Sequence, residues 1–305
     1  MTTKAPIFFL AACLVASVAQ AQITIKRIER LPLGSAHEWS HPQFSPGGSA
    51  IYYTTVDGNG IWEYSLRSRS HRQITSDPKA GLAFAVSQDG KQLAYRRTLF
   101  DQRQRVRRQE IVLMDLVSRK QTLVASGKDL SVPTFSQNTP VYSIQNETKN
   151  LKKSAQINEI TILGIEDTKI ALNRNGQKFL LDPLGSGSYV WPVLSPDRRQ
   201  IVAYEMDRGA FVCDLDGRLI SKLGKRNAPS WTRTGKWIIY MDDRDDGHRI
   251  LSSDLWAVTP DGKSATQLTR TESVLEMYPQ CSPTENRIVC STMKGEILLM
   301  TYQER

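Results

Sequence analysis

The sequence predicts an all-β chain: a six-bladed β-propeller of four-stranded antiparallel blades, closed by an N-terminal strand. Three observations carry this. One phrase recurs: His41-Pro42-Gln43-Phe44-Ser45-Pro46-Gly47-Gly48 runs into Ala50-Ile51-Tyr52-Tyr53 and reads as strand, tight turn, strand. It returns at Trp191–Asp197 before Ile201-Val202-Ala203-Tyr204, at Ala228–Lys236 before Trp237-Ile238-Ile239-Tyr240, and at Tyr278–Pro283 before Ile288-Val289-Cys290-Ser291, with fainter copies at Phe84–Gly90 and Pro133–Gln137. A period of roughly 40 to 50 residues belongs to propellers and solenoids. Finally, almost no stretch shows helical periodicity, while strand-like alternation is widespread.

Taken in order, the first 21 residues read as an export signal. Lys4 supplies the positive end, Ile7 to Val18 the apolar stretch, and Ala19-Gln20-Ala21 a small-x-small cleavage site before Gln22. The apolar stretch is short for a membrane span, and no other stretch is apolar enough to be one. Leu10-Ala11-Ala12-Cys13 also resembles a lipoprotein box, so the expected address is periplasmic or secreted, with a lipid anchor at Cys13 as the alternative. Residues 22–305 are expected to form a single domain. Export permits disulfides, yet beyond Cys13 only Cys213, Cys281 and Cys290 remain. Cys281 and Cys290 fall on two strands of one hairpin, either bridged or as two small core side chains.

Ile23 to Ile28 alternates like a strand. Each repeat then holds a strand A ending near the Ser of its turn, a strand B of Ile-Tyr-Tyr type, a strand C and a short strand D. Strand C is read at Ile61–Leu66, Ile111–Leu116, Ile160–Leu163, Phe211–Leu215, Leu255–Val258 and Ile297–Met300. Turn residues such as Asp216-Gly217 and Asp261-Gly262 follow. Strand D ends at Ile74-Thr75, Leu123-Val124, Lys222–Gly224 and Gln267–Thr269. The last unit lacks a strand D, and the spare N-terminal strand fills that place. Ring closure removes unpaired strand edges, which an open stack would leave.

The repeat x-Pro-x-Phe-Ser-Pro-Asp-Gly-Lys-x-Ile-Ala-Phe, followed by an Ile-Tyr-x-x-Asp strand and a Leu-Thr ending, resembles that of TolB-like β-propellers. Asp254–Gly262 through Gln267-Leu268-Thr269 is a close match, and the resemblance covers about Pro42 to Tyr302. It implies the propeller fold and says little about activity. TolB carries a separate α/β domain before its propeller, whereas this chain has about 20 residues there after the signal. The same repeat type occurs in propellers attached to prolyl-oligopeptidase-type hydrolases, but no hydrolase domain is expected here.

In a propeller the B–C and D–A connections emerge on one face, and the A–B and C–D turns on the other. The irregular loops fall on the first face, so function is sought there. The position before the recurring Pro is His41, Ala83, Val132, Trp191, Ala228 and Tyr278. These should ring the channel entrance, with His41, Trp191 and Tyr278 forming a stacking platform for a sugar or peptide side chain, or plugging the channel as core. The connection Leu181–Pro192 brings Asp182 and Tyr189 to the same mouth. The repeat 2 B–C loop holds Arg96, Arg97, Arg103, Arg105, Arg107 and Arg108, with Lys149, Lys152 and Lys153 in the next repeat. Such a run is ordinarily a solvated tip; functionally it is an anion site. The repeat 5 loop is the reverse: Asp242, Asp243, Asp245, Asp246 and His248 read as capped turns or, through Asp242, Asp245, Asp246 and His248, as a divalent-cation site. The EF-hand spacing is excluded, because Arg244 stands where an oxygen ligand is required. Trp39–Phe44 matches most of a streptavidin-affinity peptide, an internal coincidence.

The formal net charge of +9 favours anionic partners. Nucleic acid is not expected at an exported address, and no nucleic-acid-binding motif appears. There is no Gly-x-Ser-x-Gly elbow and no His-Glu-x-x-His pair. A histidine-rich metal centre needs several of the four histidines, His37, His41, His71 and His248, to converge; His41 and His248 can approach one face, but His71 belongs to an outer strand. The expected function is a non-enzymatic scaffold binding a protein or an anionic envelope polymer. The alternative is a glycan-active or peptidase-like enzyme, metal-assisted at the acidic loop. No cofactor is expected beyond that divalent cation, and the oligomeric state is not legible.

Overall fold

The computed structural model describes residues 22–305 apart from 104, 137, 145–146, 151–159 and 176. The described chain is almost wholly β-strand. After β1 (Ile23–Arg30), repeat 1 is β2 (Trp39–Phe44), β3 (Ala50–Thr55), β4 (Ile61–Ser65) and β5 (Ser70–Thr75), hydrogen-bonded in that order. A short 3-10 turn, Ala80–Leu82, leads to repeat 2: β6 (Phe84–Val86), β7 (Gln92–Asp101), β8 (Val106–Asp115) and β9 (Gln121–Gly127). Repeat 3 holds β10 (Thr134–Ser136), β11 (Thr139–Ile144), β12 (Glu147–Asn150), β13 (Thr161–Glu166), β14 (Lys169–Arg174) and β15 (Gln177–Leu181). Repeat 4 is β16 (Tyr189–Leu194), β17 (Gln200–Glu205), β18 (Gly209–Asp214) and β19 (Leu219–Gly224). Repeat 5 is β20 (Asn227–Trp231), β21 (Ile238–Asp245), β22 (Ile250–Val258) and β23 (Ala265–Gln267). Repeat 6 is β24 (Glu276–Cys281), β25 (Arg287–Thr292) and β26 (Ile297–Glu304).

The fold is a β-propeller with six repeats around its channel. Central strands such as β3, β17 and β25 are buried along nearly their whole length, because each sheet is covered on both faces by its neighbours. That is why they read as continuous apolar runs rather than alternating ones. Outer strands such as β5 and β19 are mostly exposed. The closure expected for the N-terminal strand is present. β1 pairs antiparallel with β26 from Ile23 opposite Glu304 to Arg30 opposite Leu298, giving the order β1-β26-β25-β24.

Repeat 3 is more elaborate than a single four-stranded blade. It divides into two three-stranded sheets, β10-β11-β12 and β13-β14-β15, so the described residues form seven hydrogen-bonded sheets. Tyr142 packs with Ile111 and Leu130 of repeat 2, while Val141 packs with Leu163 and Ala171. The β10–β12 sheet is thus wedged between repeat 2 and β13–β15. The segment read as strand C at Ile160–Leu163 instead begins β13, and β14 and β15 form where no strand was read. Their burial against Tyr189, Ile201 and Phe211 of repeat 4 explains why they hold.

The recurring Ser-x-Asp turn has a local physical cause. The hydroxyls of Ser45, Ser87 and Ser195 accept the backbone N–H that starts strand B, from Ala50, Gln92 and Gln200. Ser87 and Ser195 also donate to Asp89 and Asp197, at 2.6 Å each. Thr232 plays the same part in repeat 5, and Thr259 accepts the Ser264 N–H in the turn between β22 and β23. These hydroxyls sit at the ends of buried strands, where an unsatisfied donor is costly. Cys213, Cys281 and Cys290 are free thiols; Cys281 stands opposite Ile288, not Cys290. Among the described residues no helix is long and apolar enough to cross a membrane.

Candidate binding face

The channel mouth is built by a repeated backbone irregularity. His41, Trp191, Ala228 and Tyr278 have left-handed φ of 49°, 51°, 48° and 53°, although none is glycine. Each precedes a proline and lies within a register shift between its strands A and B, at Ser40/Gln43, Val190/Val193, Asn227/Ser230 and Met277/Gln280. Such a bulge inserts a residue and re-aims a side chain. Each left-handed non-glycine residue costs about 1–2 kcal/mol, which the closed ring must offset.

The result is a mostly apolar cavity of about 310 Å³ lined by His41, Leu82, Val132, Trp191, Ala228 and Tyr278, among others. The volume suits one or two side chains or a single sugar ring. The His41 imidazole stacks on the Tyr278 ring, with centroids 4.5 Å apart and planes 20° apart. Its Nδ1 is 2.8 Å from Ser40 Oγ. Burial lowers the pKa of His41, so the stacked ring is neutral at physiological pH. Trp191 stays 39% exposed and meets Tyr204 edge-on at 5.7 Å. The three aromatics expected at the mouth therefore do line one cavity, and they leave it open. Repeat 2 departs from the pattern: Ala83 is buried at φ −152°, and the preceding Leu82 lines the cavity instead. Repeat 2 lacks the proline that marks the position elsewhere, so Leu82 carried no signal in the sequence.

Asp182 and Tyr189 are not among the residues that line this cavity; they are engaged by their own loop. Asp182 pairs with Lys169 at 2.8 Å, accepts the Tyr189 hydroxyl at 2.7 Å, and accepts the N–H groups of Ser186 and Gly187. Burial works to raise its carboxyl, but Lys169 first and then these donors overcome it, holding the group well below the usual carboxylate range. Tyr189 is buried beside Phe211, and its oxygen also accepts the Leu184 N–H. Burial, then the bond to Asp182, pushes the phenol up to about 12. Glu205 completes the scaffold from the end of β17. It is held down to about 2, chiefly by Arg208, and it accepts the N–H groups of Ser188, Asp207 and Arg208.

The arginine-rich segment is an arm rather than a loop. β7 and β8 pair continuously from Gln92–Asp115 out to Asp101–Val106. Arg97, read as part of the loop, lies in β7 and bonds Glu110 at 2.7 Å and Asp77 at 3.2 Å. Arg96 donates to the Leu130 carbonyl. Arg108 approaches Glu110 at 3.5 Å and donates to Ser126. Arg105 turns the tip at φ 53°, and Arg103, which has a partner of its own, stands beside it. Arg107 faces a groove alongside Lys79 and Lys128. Lys152 and Lys153 lie outside the described residues.

The acidic segment is likewise mostly strand. Asp242 and Asp243 stand opposite Asp254 and Ser253 in the β21–β22 pair, on alternating sides of the sheet. Asp243 accepts the Asn227 amide. Asp245 accepts the Gly247 N–H and lies 4.0 Å from Lys225. Asp246 accepts the N–H groups of His248 and Arg249. Among the described residues no three His, Cys, Asp or Glu side chains converge as a metal-ligating group.

No protein-family model matches the chain, and no curated protein sequence matches it. Among solved structures, the β-propeller domain of Cps50 (Swd1) from Myceliophteria thermophila superposes with a TM-score of 0.61 at 12% identity, covering 87% of this chain and 98% of that one. TolB from Acinetobacter baumannii gives 0.52 at 18% identity, over 77% of this chain and 55% of that one, so the chain spans about half of TolB's length. An oligogalacturonate lyase from Vibrio parahaemolyticus gives 0.50 at 11% identity, over 85% of this chain and 76% of that one. At these identities the likeness is one of fold: a propeller similar to TolB's and to those of other β-propeller proteins.

Proposed function

We propose that this chain is an exported cell-envelope β-propeller acting as a non-enzymatic binding scaffold, which takes a protein segment or an envelope polymer on its mouth face. The observation that carries this is the set of four left-handed, proline-flanked bulges turned toward one open cavity. Strain repeated at a single place in the ring is the pattern of a built site. The stacked His41–Tyr278 pair and the partly exposed Trp191 supply flat apolar surface, with the basic arm at the margin. The export reading rests on Lys4, the apolar stretch Ile7 to Val18 and Ala19-Gln20-Ala21, with Cys13 as the alternative anchor point.

The test uses two probes, a random 12-residue peptide display library and soluble polygalacturonate, on the purified protein and on Trp191→Ala/Tyr278→Ala. Retention of either probe that falls at least about tenfold in the double variant, with its melting transition intact, supports the site, since buried aromatic anchors commonly carry such losses. Equal retention by both proteins, or no retention of either probe, overturns it.

A further inference from the structure

We propose that a second groove on the mouth face docks an acidic peptide segment carrying a large apolar side chain. It lies between the arginine arm and the connection from repeat 1 to repeat 2. The inference rests on the reading that this face binds, and it adds a site with its own chemistry.

The groove follows from the length of the arm. β6 pairs with β7 only from Leu93 to Tyr95, and β9 pairs with β8 only from Gln109 to Met114. Beyond Arg97 and Gln109 the two strands pair only with each other, as a ribbon. The ribbon is braced over the neighbouring connection by the Thr98 N–H, which donates to the Pro78 carbonyl at 3.0 Å. Gly81 lets that connection lie tightly against repeat 1: a Cβ there would fall 2.0 Å from the Thr54 hydroxyl and 2.6 Å from the Gly60 carbonyl. Leu82 is thereby pinned at the foot of the arm.

The enclosed space is about 500 Å³. Leu82, Leu99 and Phe100 line it, with Leu82 50% and Phe100 59% exposed. Its charged lining is entirely cationic: Lys79, Arg96, Arg107 and Lys128. Arg96 is committed to the Leu130 carbonyl, and the Lys79 ammonium bonds the Asp57 carbonyl at 2.7 Å. Among the described residues Lys79, Arg107 and Lys128 have no carboxylate within ion-pair reach. Asp129 opens into the adjoining hollow instead. Exposed large apolar groups ringed by unneutralised cations mark a surface completed by something both apolar and anionic.

A peptide fits better than a lipid surface, because a space of about 500 Å³ takes single large side chains and its unpaired cations complement the carboxylates that would flank one. An aromatic or leucine side chain would cover Leu82, Leu99 and Phe100, and flanking Asp or Glu carboxylates would meet Arg107, Lys128 and Lys79. Leu82 also lines the central cavity, so the two sites adjoin.

The test pans the same 12-residue library against the wild type, Phe100→Ser/Arg107→Glu/Lys128→Glu, Trp191→Ala/Tyr278→Ala, and the far-face control Lys263→Glu. The expected result is a wild-type consensus of Asp or Glu around Leu, Phe or Trp. A labelled consensus peptide should bind the groove variant at least tenfold more weakly and the far-face control like the wild type. Its affinity should fall as salt is raised, and phosphatidylglycerol vesicles should not compete. The proposal is overturned by a consensus without acidic residues, by no consensus at all, by equal binding to the groove variant, by competition from the vesicles, or by loss only in the channel variant. The last of these would leave the central cavity as the binding site on its own.

Discussion

The two faces of the propeller are built by opposite means. On the far face, Ser45, Ser87, Ser195, Thr232 and Thr259 close short turns with the same side-chain-to-backbone bond. On the mouth face, the connections differ in every repeat, and four of the six entrance positions hold left-handed φ on non-glycine residues. The repeat spends its regularity on one face to fix the ring and leaves the other free to vary. Strain is tolerated there because proline, the register shift and the adjacent sheets together over-determine it.

The largest expected effect comes from breaking the ring that supports both faces. Deleting residues 22–30 removes β1 and bares the β26 edge, including Met300 and Tyr302, which are buried. Cooperative melting by circular dichroism should disappear, and light scattering should report association through the open edge. Next, Asp182→Ala removes the ion pair to Lys169 and leaves the Tyr189 hydroxyl and two backbone N–H groups without their acceptor. We expect a loss of about 2–3 kcal/mol in denaturant unfolding. Unchanged stability with lost ligand retention would instead make Asp182 a ligand contact.

Glu276, at the start of β24, sharpens the comparison through pH. It is buried, and that burial raises its carboxyl to about 7 against an ordinary 4.5, even though the Thr271 hydroxyl donates to it. The folded state therefore holds this proton more tightly than the unfolded chain. The stability it lends is full below pH 4.5 and is lost as pH rises through about 7. Glu276→Gln should match the wild type near pH 4.5 and exceed it at pH 8 by on the order of 2–3 kcal/mol, read from unfolding midpoints at the two pH values. The smallest effect belongs to the far face: Ser87→Ala should cost about 1–2 kcal/mol and leave retention at the mouth unchanged.

What the sequence made legible follows the same division. The far-face turns were readable because one buried hydroxyl must satisfy one N–H, which fixes the residue type and its spacing. His41, Trp191 and Tyr278 were readable because proline marks the position after them. Leu82 was not, since repeat 2 lacks that proline. The roles of Asp182 and Tyr189 depend on Lys169, a partner supplied by β14, a strand that went unread. The arginine arm looked like a loop because its charges hide the pairing of Leu99 with Arg108 and Phe100 with Arg107, which is set by backbone register rather than by side-chain pattern. Repeat 3 splits because Val141 and Tyr142 bury on opposite sides of β11, and an alternation that short carries no mark of which sheets will cover it.

The most direct test of the central claim is hydrogen–deuterium exchange of the purified protein with and without a peptide or polymer retained in the binding screen. The account predicts slowed exchange at 39–43, 189–193 and 276–280, with the far-face turns at 45–50, 195–200 and 259–264 unchanged. Protection confined to those far-face turns would contradict it.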